Sequence, residues 1–188
     1  MNNSKDQVAK VIDFASALPP TLYWDANFII NSAHRDARWH KECAAFNARL
    51  EQSQTISYVS ALALDESWFM LLQFMIADNY PDKSFWRVVN DDPSVIANYI
   101  DRLEKITSDI YANPNIRVVS IAPYTAPLAL DHMRDFHLLP RDAMHLATMR
   151  QYKLRHVVTT DTDFLSVPNI SIYTCNPTLL QPPNRRIT

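Results

Sequence analysis

Five acidic side chains stand where the chain could bring them to one place. Asp25 directly follows a short apolar run, in WDANFII, and Asp161 and Asp163 directly follow another, in VVTTDTDF. Glu66 lies about one and a half turns into an apolar, helix-like segment, and Asp142 lies in the first turn of a segment that opens with proline. Each acid alone has an ordinary explanation, as a helix N-cap, an Asx-turn or a residue favoured by the helix dipole. Together they favour a site, because converging acids repel one another unless a cation binds or their pKa values rise.

The ligand type indicates the class of chemistry. Oxygen ligands without a neighbouring Cys or His suit Mg²⁺ or Mn²⁺ and not zinc. Hard cations held by several carboxylates commonly organise phosphoryl transfer, in which the metal activates a water and clamps the scissile phosphate. The six histidines are dispersed along the sequence and no catalytic triad stands out. His145, three residues after Asp142 on one predicted helix face, is expected to support the site or the core and not to be a ligand.

The elements that must position these acids alternate between short apolar runs and helical patterns. The runs are Leu22–Trp24, Ile56–Val59, Arg117–Ser120, His156–Thr159 and Ile170–Thr174, and the helical patterns cover about 35–54, 61–78, 94–112, 123–137 and 140–152. This alternation predicts an α/β fold with a mostly parallel sheet of about five strands, covered by helices on both faces. Ligands in such folds bind at the carboxyl ends of the strands, where the acids fall. Residues 79–95 are predicted to be an irregular link.

The first twenty residues have a different pattern. Val8, Val11, Ile12, Ala15 and Leu18 follow the spacing of an amphipathic helix over 4–18, which Pro19-Pro20 would end. We therefore predict an N-terminal helical arm at 1–20, a single domain at 21–178 and a tail at 179–188.

Composition excludes several function classes. The 188 residues contain no glycine, which excludes a G-x-G-x-x-G dinucleotide loop, a P-loop and a G-x-S-x-G nucleophile elbow. Positive-φ positions are expected to fall to Asn and Asp. The formal net charge is −2, so any nucleic-acid contact must depend on a local patch. The sequence predicts no signal peptide and no membrane anchor, and it predicts a cytoplasmic protein in which Cys43 and Cys175 are reduced thiols.

Four blocks of sequence, in this order, resemble a known family. They are WDANFII at 24–30, ALDESW at 63–68, LPRDAMHLAT at 139–148 and VVTTDTDF at 157–164. From Leu22 to about Cys175 the chain resembles the PIN-domain nucleases, of the kind found as the toxin of VapBC toxin–antitoxin pairs. The resemblance implies a three-layer α/β/α sandwich and a ribonuclease site that depends on Mg²⁺ or Mn²⁺.

The resemblance also implies roles for particular residues. It carries metal-site roles to four acids, Asp25, Glu66, Asp142 and Asp161, with Asp163 as an auxiliary acid. Asn27 and Thr160 stand where the family places polar residues that orient the acids. The chain departs from the family where glycine commonly precedes the third and fourth blocks, since it has Phe136-His137-Leu138 and Tyr152-Lys153-Leu154 there.

Substrate and partners follow from the same resemblance. RNA is the expected substrate, and basic residues that flank the blocks could form a phosphate-binding rim: Arg141 above all, with Arg35, Arg38 and Lys41. A toxin implies an antitoxin that inserts a segment into the acidic groove. We also expect a homodimer formed through the 61–78 helix, with Trp68, Phe69, Leu72 and Met75 in the contact.

Two alternatives remain open on the sequence. Asp161-Thr162-Asp163 could begin a haloacid-dehalogenase-type phosphatase with an aspartyl nucleophile, although that motif would normally follow the first strand of its domain and only 25 residues follow Asp163 here. The chain could also be a PIN-like module kept for protein interaction. The complete set of acids argues against that second alternative.

Overall fold

A single parallel sheet organises the protein. The computed structural model describes residues 8–181, and within them six strands are joined in one sheet with every neighbouring pair parallel. The strands are β1 (Lys10–Asp13), β2 (Thr21–Trp24), β3 (Ile56–Ser60), β4 (Ile116–Val119), β5 (His156–Val158) and β6 (Ser171–Thr174). Their order is β1-β6-β5-β2-β3-β4, which places β5 and β2 at the centre. The predicted α/β fold is confirmed, with six strands instead of about five.

Helices cover both faces of this sheet. They are α1 (Ala26–Ala33), α2 (His40–Glu51), α3 (Ala61–Asn79), α4 (Phe85–Asp91), α5 (Ile100–Ala112), α6 (Thr125–Phe136), α7 (Pro140–Gln151) and α8 (Pro177–Leu180), with 3-10 turns at Pro93–Tyr99 and Asp163–Ser166. Successive residues of a strand point to opposite faces. Leu22 and Trp24 therefore pack with α1, α2 and α3, whereas Tyr23 between them packs with α6 and α7. The result is the three-layer arrangement that the sequence predicts.

The N-terminal segment is not the predicted helix. Residues 8–18 contain no helical turn, and Lys10–Asp13 forms the edge strand β1 beside β6. The Lys10 amide donates to the Ile170 carbonyl (3.0 Å), and Phe14 stacks on Phe46 of α2 with 4.0 Å between the ring centroids. The helical prediction is therefore wrong for residues 8–18, because the unpaired edge of β6 outweighs the local helical pattern. The rest of the predicted arm, residues 1–7, lies outside the described residues.

Three further parts of the chain differ from the predictions. The segment 79–95 is not irregular, since α4 and the following 3-10 turn pack Val88 and Val95 against Leu72 and Ile76 of α3. The sequence reading missed α1, and the helix that it placed over 35–54 begins only at His40. The predicted tail starts later than 179, since Leu179 is buried in α8; residues 182–188 lie outside the described range.

The missing glycines leave ordinary residues in the left-handed region. Positive φ occurs at His137 (58°), Lys153 (57°) and Asn169 (63°). The first two follow α6 and α7, at the positions where the family pattern has glycine and this chain has none. A left-handed residue with a Cβ costs about 1–2 kcal/mol. The expectation that Asn and Asp take these positions is therefore met at Asn169 alone among the described residues.

The predicted dimer face on α3 is largely used within the chain. Leu72 and Met75 are buried, and the Trp68 indole N–H donates to the Thr107 hydroxyl of α5 (2.9 Å). A contact between two copies cannot use side chains that are already covered. In the part of the chain that the structure describes, no helix is long and apolar enough to cross a membrane.

Candidate metal site

The acids meet at the carboxyl edge of the sheet, as the sequence predicts. Asp25 follows the central strand β2 and caps α1, where its Oδ1 accepts from the Ala26 amide (2.9 Å). Glu66 lies on α3, which begins directly after β3. Asp142 lies in the first turn of α7, and Asp161 follows the other central strand, β5. Asp25, Glu66 and Asp161 arrive at one place because the parallel strands β2, β3 and β5 end on the same side. Asp142 arrives there at the N-terminal end of α7, which precedes β5.

Asp25 and Asp161 are held by a shared set of hydrogen bonds. The Thr159 hydroxyl donates to Asp25 Oδ2 (2.6 Å), and the Asp161 amide donates to the same hydroxyl oxygen (3.0 Å). The Asn27 side-chain amide donates to Asp25 Oδ2 (3.3 Å) and to Asp161 Oδ2 (3.2 Å). Asn27 therefore contacts the acids as the resemblance implies. The hydroxyl that contacts Asp25 belongs to Thr159, whereas the Thr160 hydroxyl accepts from Asn31 (3.4 Å).

Glu66 is held by a buried chain of polar groups. His145 Nε2 lies 3.2 Å from Glu66 Oε2 and 3.7 Å from Asp25 Oδ1. The other ring nitrogen, Nδ1, pairs with the Tyr23 hydroxyl (2.7 Å), which in turn pairs with the Ser60 hydroxyl (2.7 Å). Burial lowers the pKa of His145, but the hydrogen bond with Glu66 and the charges of the nearby acids outweigh burial and raise it. The raised pKa favours the protonated ring, whose positive charge lies between Asp25 and Glu66.

The remaining acids carry raised pKa values. Burial, followed by the charges of Asp163 and Asp25, raises the pKa of Asp142 to about 7. Burial and the charge of Asp161 raise the pKa of Asp163, and these two effects outweigh the lowering effect of Asp142. These shifts are those of carboxylates that lack sufficient compensating positive charge. Strongly shifted acids in one cluster also mark a candidate functional site.

The donor set fits a divalent cation. Ligand atoms of Asp25, Glu66 and His145 all lie within 4.8 Å of one another. Glu66 Oε1 is buried and has no hydrogen-bond partner among the described residues, although Arg141 Nε lies 3.5 Å away without the alignment of a hydrogen bond. An unsatisfied buried carboxylate oxygen is costly, and a cation would satisfy it. Carboxylate oxygens are the ligands that suit Mg²⁺ and Mn²⁺, whereas both ring nitrogens of His145 already have hydrogen-bond partners.

The basic residues of the predicted rim lie in different places. Arg141 reaches the cluster through Glu66 and is largely exposed. Arg35 lines a separate cavity of about 550 Å³ between α1, α2 and α5, whose lining contains none of the five acids. Arg38 is exposed and its guanidinium lies over the Trp39 ring (4.6 Å). Lys41 is exposed on α2. Of the four, Arg141 is the one that forms an ion pair with an acid of the cluster within residues 8–181.

Sequence reasoning missed part of the supporting structure. His145 is in the cluster, so the set of groups is not oxygen-only, and its i, i+3 spacing from Asp142 was the signal that pointed to it. Tyr23 and Ser60 lie at the ends of β2 and β3, but nothing in their local sequence indicates that their hydroxyls meet His145. Thr159 could not be separated from Thr160 because adjacent residues differ only in the face to which they point.

Comparisons with known proteins agree with this fold. The family model for the PIN domain matches residues 22–170, and the chain belongs to the PIN-domain family. VapC20 from Mycobacterium tuberculosis, described as a sarcin-ricin loop cleaving toxin, has a similar structure with a TM-score of 0.53, 14% identity, and coverage of 76% of this chain and 92% of that one. No curated protein matches the chain.

Two structures that contain bound DNA are similar to the same degree. VapBC2 from Rickettsia felis, bound to a promoter DNA fragment, has a TM-score of 0.51 at 9% identity, with 82% of this chain and 98% of that one covered. FitAB, bound to a DNA fragment, has a TM-score of 0.52 at 17% identity, with 81% and 94% covered. At these identities the likeness concerns the fold.

Proposed function

We propose that the protein is a metal-dependent endoribonuclease that hydrolyses RNA phosphodiester bonds. The observation that carries the proposal is the convergence of five acids at one edge of the sheet, with the pKa of Asp142 raised to about 7 and Glu66 Oε1 left unsatisfied. Membership of the PIN-domain family supports nuclease chemistry at this edge. A site built only for packing would not retain so many poorly compensated acids.

Each residue of the cluster has a stated part in this proposal. Asp25, Asp142 and Asp161 hold Mg²⁺ or Mn²⁺, Asp163 assists them, and Glu66 either holds the cation or positions the attacking water. A bound divalent ion lowers the pKa of that water and offsets the charge of the scissile phosphate. His145 and Tyr23 keep Glu66 in place through the hydrogen bonds described above.

Arg141 is the proposed contact to the phosphate. Its guanidinium already lies at the mouth of the cluster, beside Glu66, and is free on its solvent side. Phosphate contacts of this kind position the strand without reading its sequence. Arg35 and Arg38 remain weaker proposals for the path of the RNA away from the cleavage point.

We also propose that the protein acts in the cytoplasm as the toxin of a toxin–antitoxin pair and forms a homodimer. The similarity in fold to VapC20, FitAB and VapBC2 supports the antitoxin partner. A non-catalytic PIN-like module is the competing function, and it predicts neither cleavage nor metal binding.

The decisive experiment is a cleavage assay with matched variants. Purified protein is incubated with structured RNA or single-stranded DNA in Mg²⁺, Mn²⁺ or EDTA, beside Asp142→Asn. Asp65→Asn is the control, since Asp65 is an exposed acid next to Glu66 on α3. We expect RNA cleavage that requires metal, falls by at least about a hundredfold in Asp142→Asn and is unchanged in Asp65→Asn.

Metal-dependent thermal stabilisation, measured on the same samples, separates the alternatives. Equal cleavage by Asp142→Asn would indicate a contaminating nuclease and contradict the proposal. Neither cleavage nor stabilisation by metal would favour the interaction module. Stabilisation that requires Asp161 but not Asp25 would instead favour the phosphatase alternative.

A further inference from the structure

A cavity of about 550 Å³ lies on the α1–α2 face of the sheet. Its walls come from β2, α1, α2, α5 and β4, and none of the five acids of the cluster is part of them. Cavities of about 300–1,000 Å³ are large enough to hold small organic molecules. The proposed nuclease chemistry uses the acidic edge of the sheet and leaves this cavity without a role.

Part of the cavity wall is apolar. Trp24 of β2, Ile29 of α1, and Ile106 and Ile110 of α5 line the cavity, and all four belong to the hydrophobic cluster on this face. An apolar group that leaves water for such a wall is stabilised by burial. A rigid ring is favoured over a flexible chain, because it loses less conformational freedom when it binds.

Three residues of the lining also carry buried polar atoms without a hydrogen-bond partner among the described residues. They are Trp24 Nε1, Ser32 Oγ and Asn47 Oδ1, and they are half of the six such side-chain atoms within residues 8–181. A buried polar atom without a partner is costly, so their concentration around one cavity indicates a partner that enters it. The indole N–H requires an acceptor and the amide oxygen requires a donor, so that partner carries both.

The charged residues of the lining favour an anion. Lys105 pairs with Asp109 (3.0 Å), and Glu51 accepts from a side-chain amide of α2 (3.1 Å). Arg35 and Arg102, which also line the cavity, form no ion pair within residues 8–181. A guanidinium matches the geometry of carboxylate and phosphate groups, so the two arginines are suited to hold such a group.

We propose that this cavity binds a small organic anion with a rigid, ring-shaped body and a carboxylate or phosphate group. The ring packs against the apolar wall, and donors and acceptors on its edge pair with Trp24, Ser32 and Asn47. The anionic group pairs with Arg35 and Arg102. Mononucleotides and aromatic carboxylic acids share this chemistry.

The cavity adjoins the two elements that hold Asp25. Trp24 immediately precedes Asp25 in the chain, and Ser32 lies on α1, whose N-cap is Asp25. A bound anion would therefore contact the strand before this acid and the helix after it. The binding itself is independent of the proposed nuclease function, because it uses none of the acids.

The test is an NMR titration of the isotope-labelled full chain in EDTA, which prevents a divalent cation from holding a phosphate at the acidic cluster. The probes are UMP, AMP and salicylate. Uridine, phenol and inorganic phosphate are the controls, since each lacks either the charge or the ring. We expect at least one probe to move the indole N–H signal of Trp24, assigned with Trp24→Phe, and to leave that of Trp86 on α4 unchanged.

The comparison of probes identifies the ligand class. A response to UMP or AMP alone assigns the site to phosphate esters, and a response to salicylate alone assigns it to aromatic carboxylates. The matching control should bind at least about fivefold more weakly, because it lacks the charge-assisted hydrogen bonds. No binding of any probe tighter than about 1 mM, by NMR or by calorimetry of the unaltered protein, would overturn the proposal. Uridine or phenol that binds as tightly as its charged counterpart would overturn it too.

Arginine variants test the anionic contact. Arg102→Ala should weaken binding of the responding probe by at least about fivefold, since it removes one of the two guanidiniums. The control is Arg87→Ala, an exposed arginine on α4 outside the lining, which should change the affinity by less than about twofold. Arg102 is exposed on α5, so we expect the variant to fold, and its urea midpoint checks this. Unchanged affinity in a folded Arg102→Ala would overturn the proposal.

Discussion

At the scale of single residues, nearby basic side chains and raised pKa values offset the repulsion between the acids of the cluster. His145 lies between Asp25 and Glu66, and the Arg141 guanidinium lies beside Glu66 from the solvent side. Asp142 forms no ion pair among the described residues, and its pKa is raised. The charges of these acids are thus poorly compensated, which makes the stability of the folded chain depend on pH, and the proposed cation would reduce their repulsion.

Asp142→Asn should stabilise the metal-free protein at alkaline pH. The pKa of the Asp142 carboxyl is about 7 in the folded chain, against an ordinary value of 3.8 that applies in the unfolded chain. Between these two pH values the folded chain therefore binds one more proton than the unfolded chain. The stability that this proton adds to the folded chain is fully present below about pH 4 and is lost as the pH rises through about 7. In EDTA at about pH 8 we expect the variant to be more stable by about 1 kcal/mol, after discounting for solvent screening.

Urea unfolding at two pH values measures this difference. The gain should vanish near pH 4, and saturating Mg²⁺ or Mn²⁺ should reverse the ranking, because binding stabilises only the unaltered site. Asp65→Asn, an exposed acid outside the cluster, should change stability by less than about 0.5 kcal/mol at either pH. A variant that is less stable than the unaltered protein in EDTA at about pH 8 would contradict the raised pKa.

At the scale of elements, the C-terminal ends of α6 and α7 cost free energy because the chain has no glycine to place there. His137 and Lys153 end their helices in the left-handed region, where a Cβ is unfavourable. Both ends are still closed by hydrogen bonds, from the His137 amide to the Met133 carbonyl (3.0 Å) and from the Leu154 amide to the Met149 carbonyl (2.8 Å). Helices α6 and α7 therefore end at the positions where the family pattern has glycine, although this chain has other residues there.

Lys153→Gly should stabilise the protein. Lys153 is exposed, so the variant loses little packing and removes the strain of its φ of 57°. Glycine also gives the unfolded chain more freedom, which leaves a net gain of about 0.5–1 kcal/mol. The control is Arg155→Gly, an exposed residue nearby without positive φ, which should be destabilising. Thermal unfolding of both variants decides the matter, and a lower midpoint for Lys153→Gly would contradict the strain.

Elements that depend on local signals could be predicted, and those that depend on distant partners could not. Pro140 at the first position of α7 marks its start within the sequence itself. The strand β1 has no such signal, because Lys10–Asp13 becomes a strand only through the free edge of β6, more than 150 residues later. The same reasoning applies to the site. Asp25, Glu66 and Asp161 could be placed from the strands that precede them and Asp142 from the start of its helix, whereas Tyr23 joins the site through its contact with His145.

At the scale of the whole molecule, the formal charge of −2 gives no general attraction to a polyanion. The proposed RNA substrate would therefore bind through local groups at the edge of the sheet, where a bound metal would offset the acids and Arg141 adds a positive charge. The surface also determines how two copies could meet. Since Leu72 and Met75 are buried, the apolar group of this region that remains accessible is Trp86 of α4, with 61% of its surface exposed.

Two variants separate a dimer contact from the core beneath it. Trp86 packs against Phe69 of α3 (6.1 Å between ring centroids) and against Phe85 (5.0 Å), so it presents a supported aromatic surface to solvent. If the proposed homodimer forms through this region, Trp86→Ser should lower the mass measured by light scattering to that of one chain and leave the unfolding free energy within about 0.5 kcal/mol when measured on the monomer.

Leu72→Ala should instead cost about 2–5 kcal/mol of stability, because it opens a cavity among Ile76, Val88 and Val95. A dimer that persists in Trp86→Ser would place the contact elsewhere, and a mass of one chain in the unaltered protein would remove the homodimer altogether.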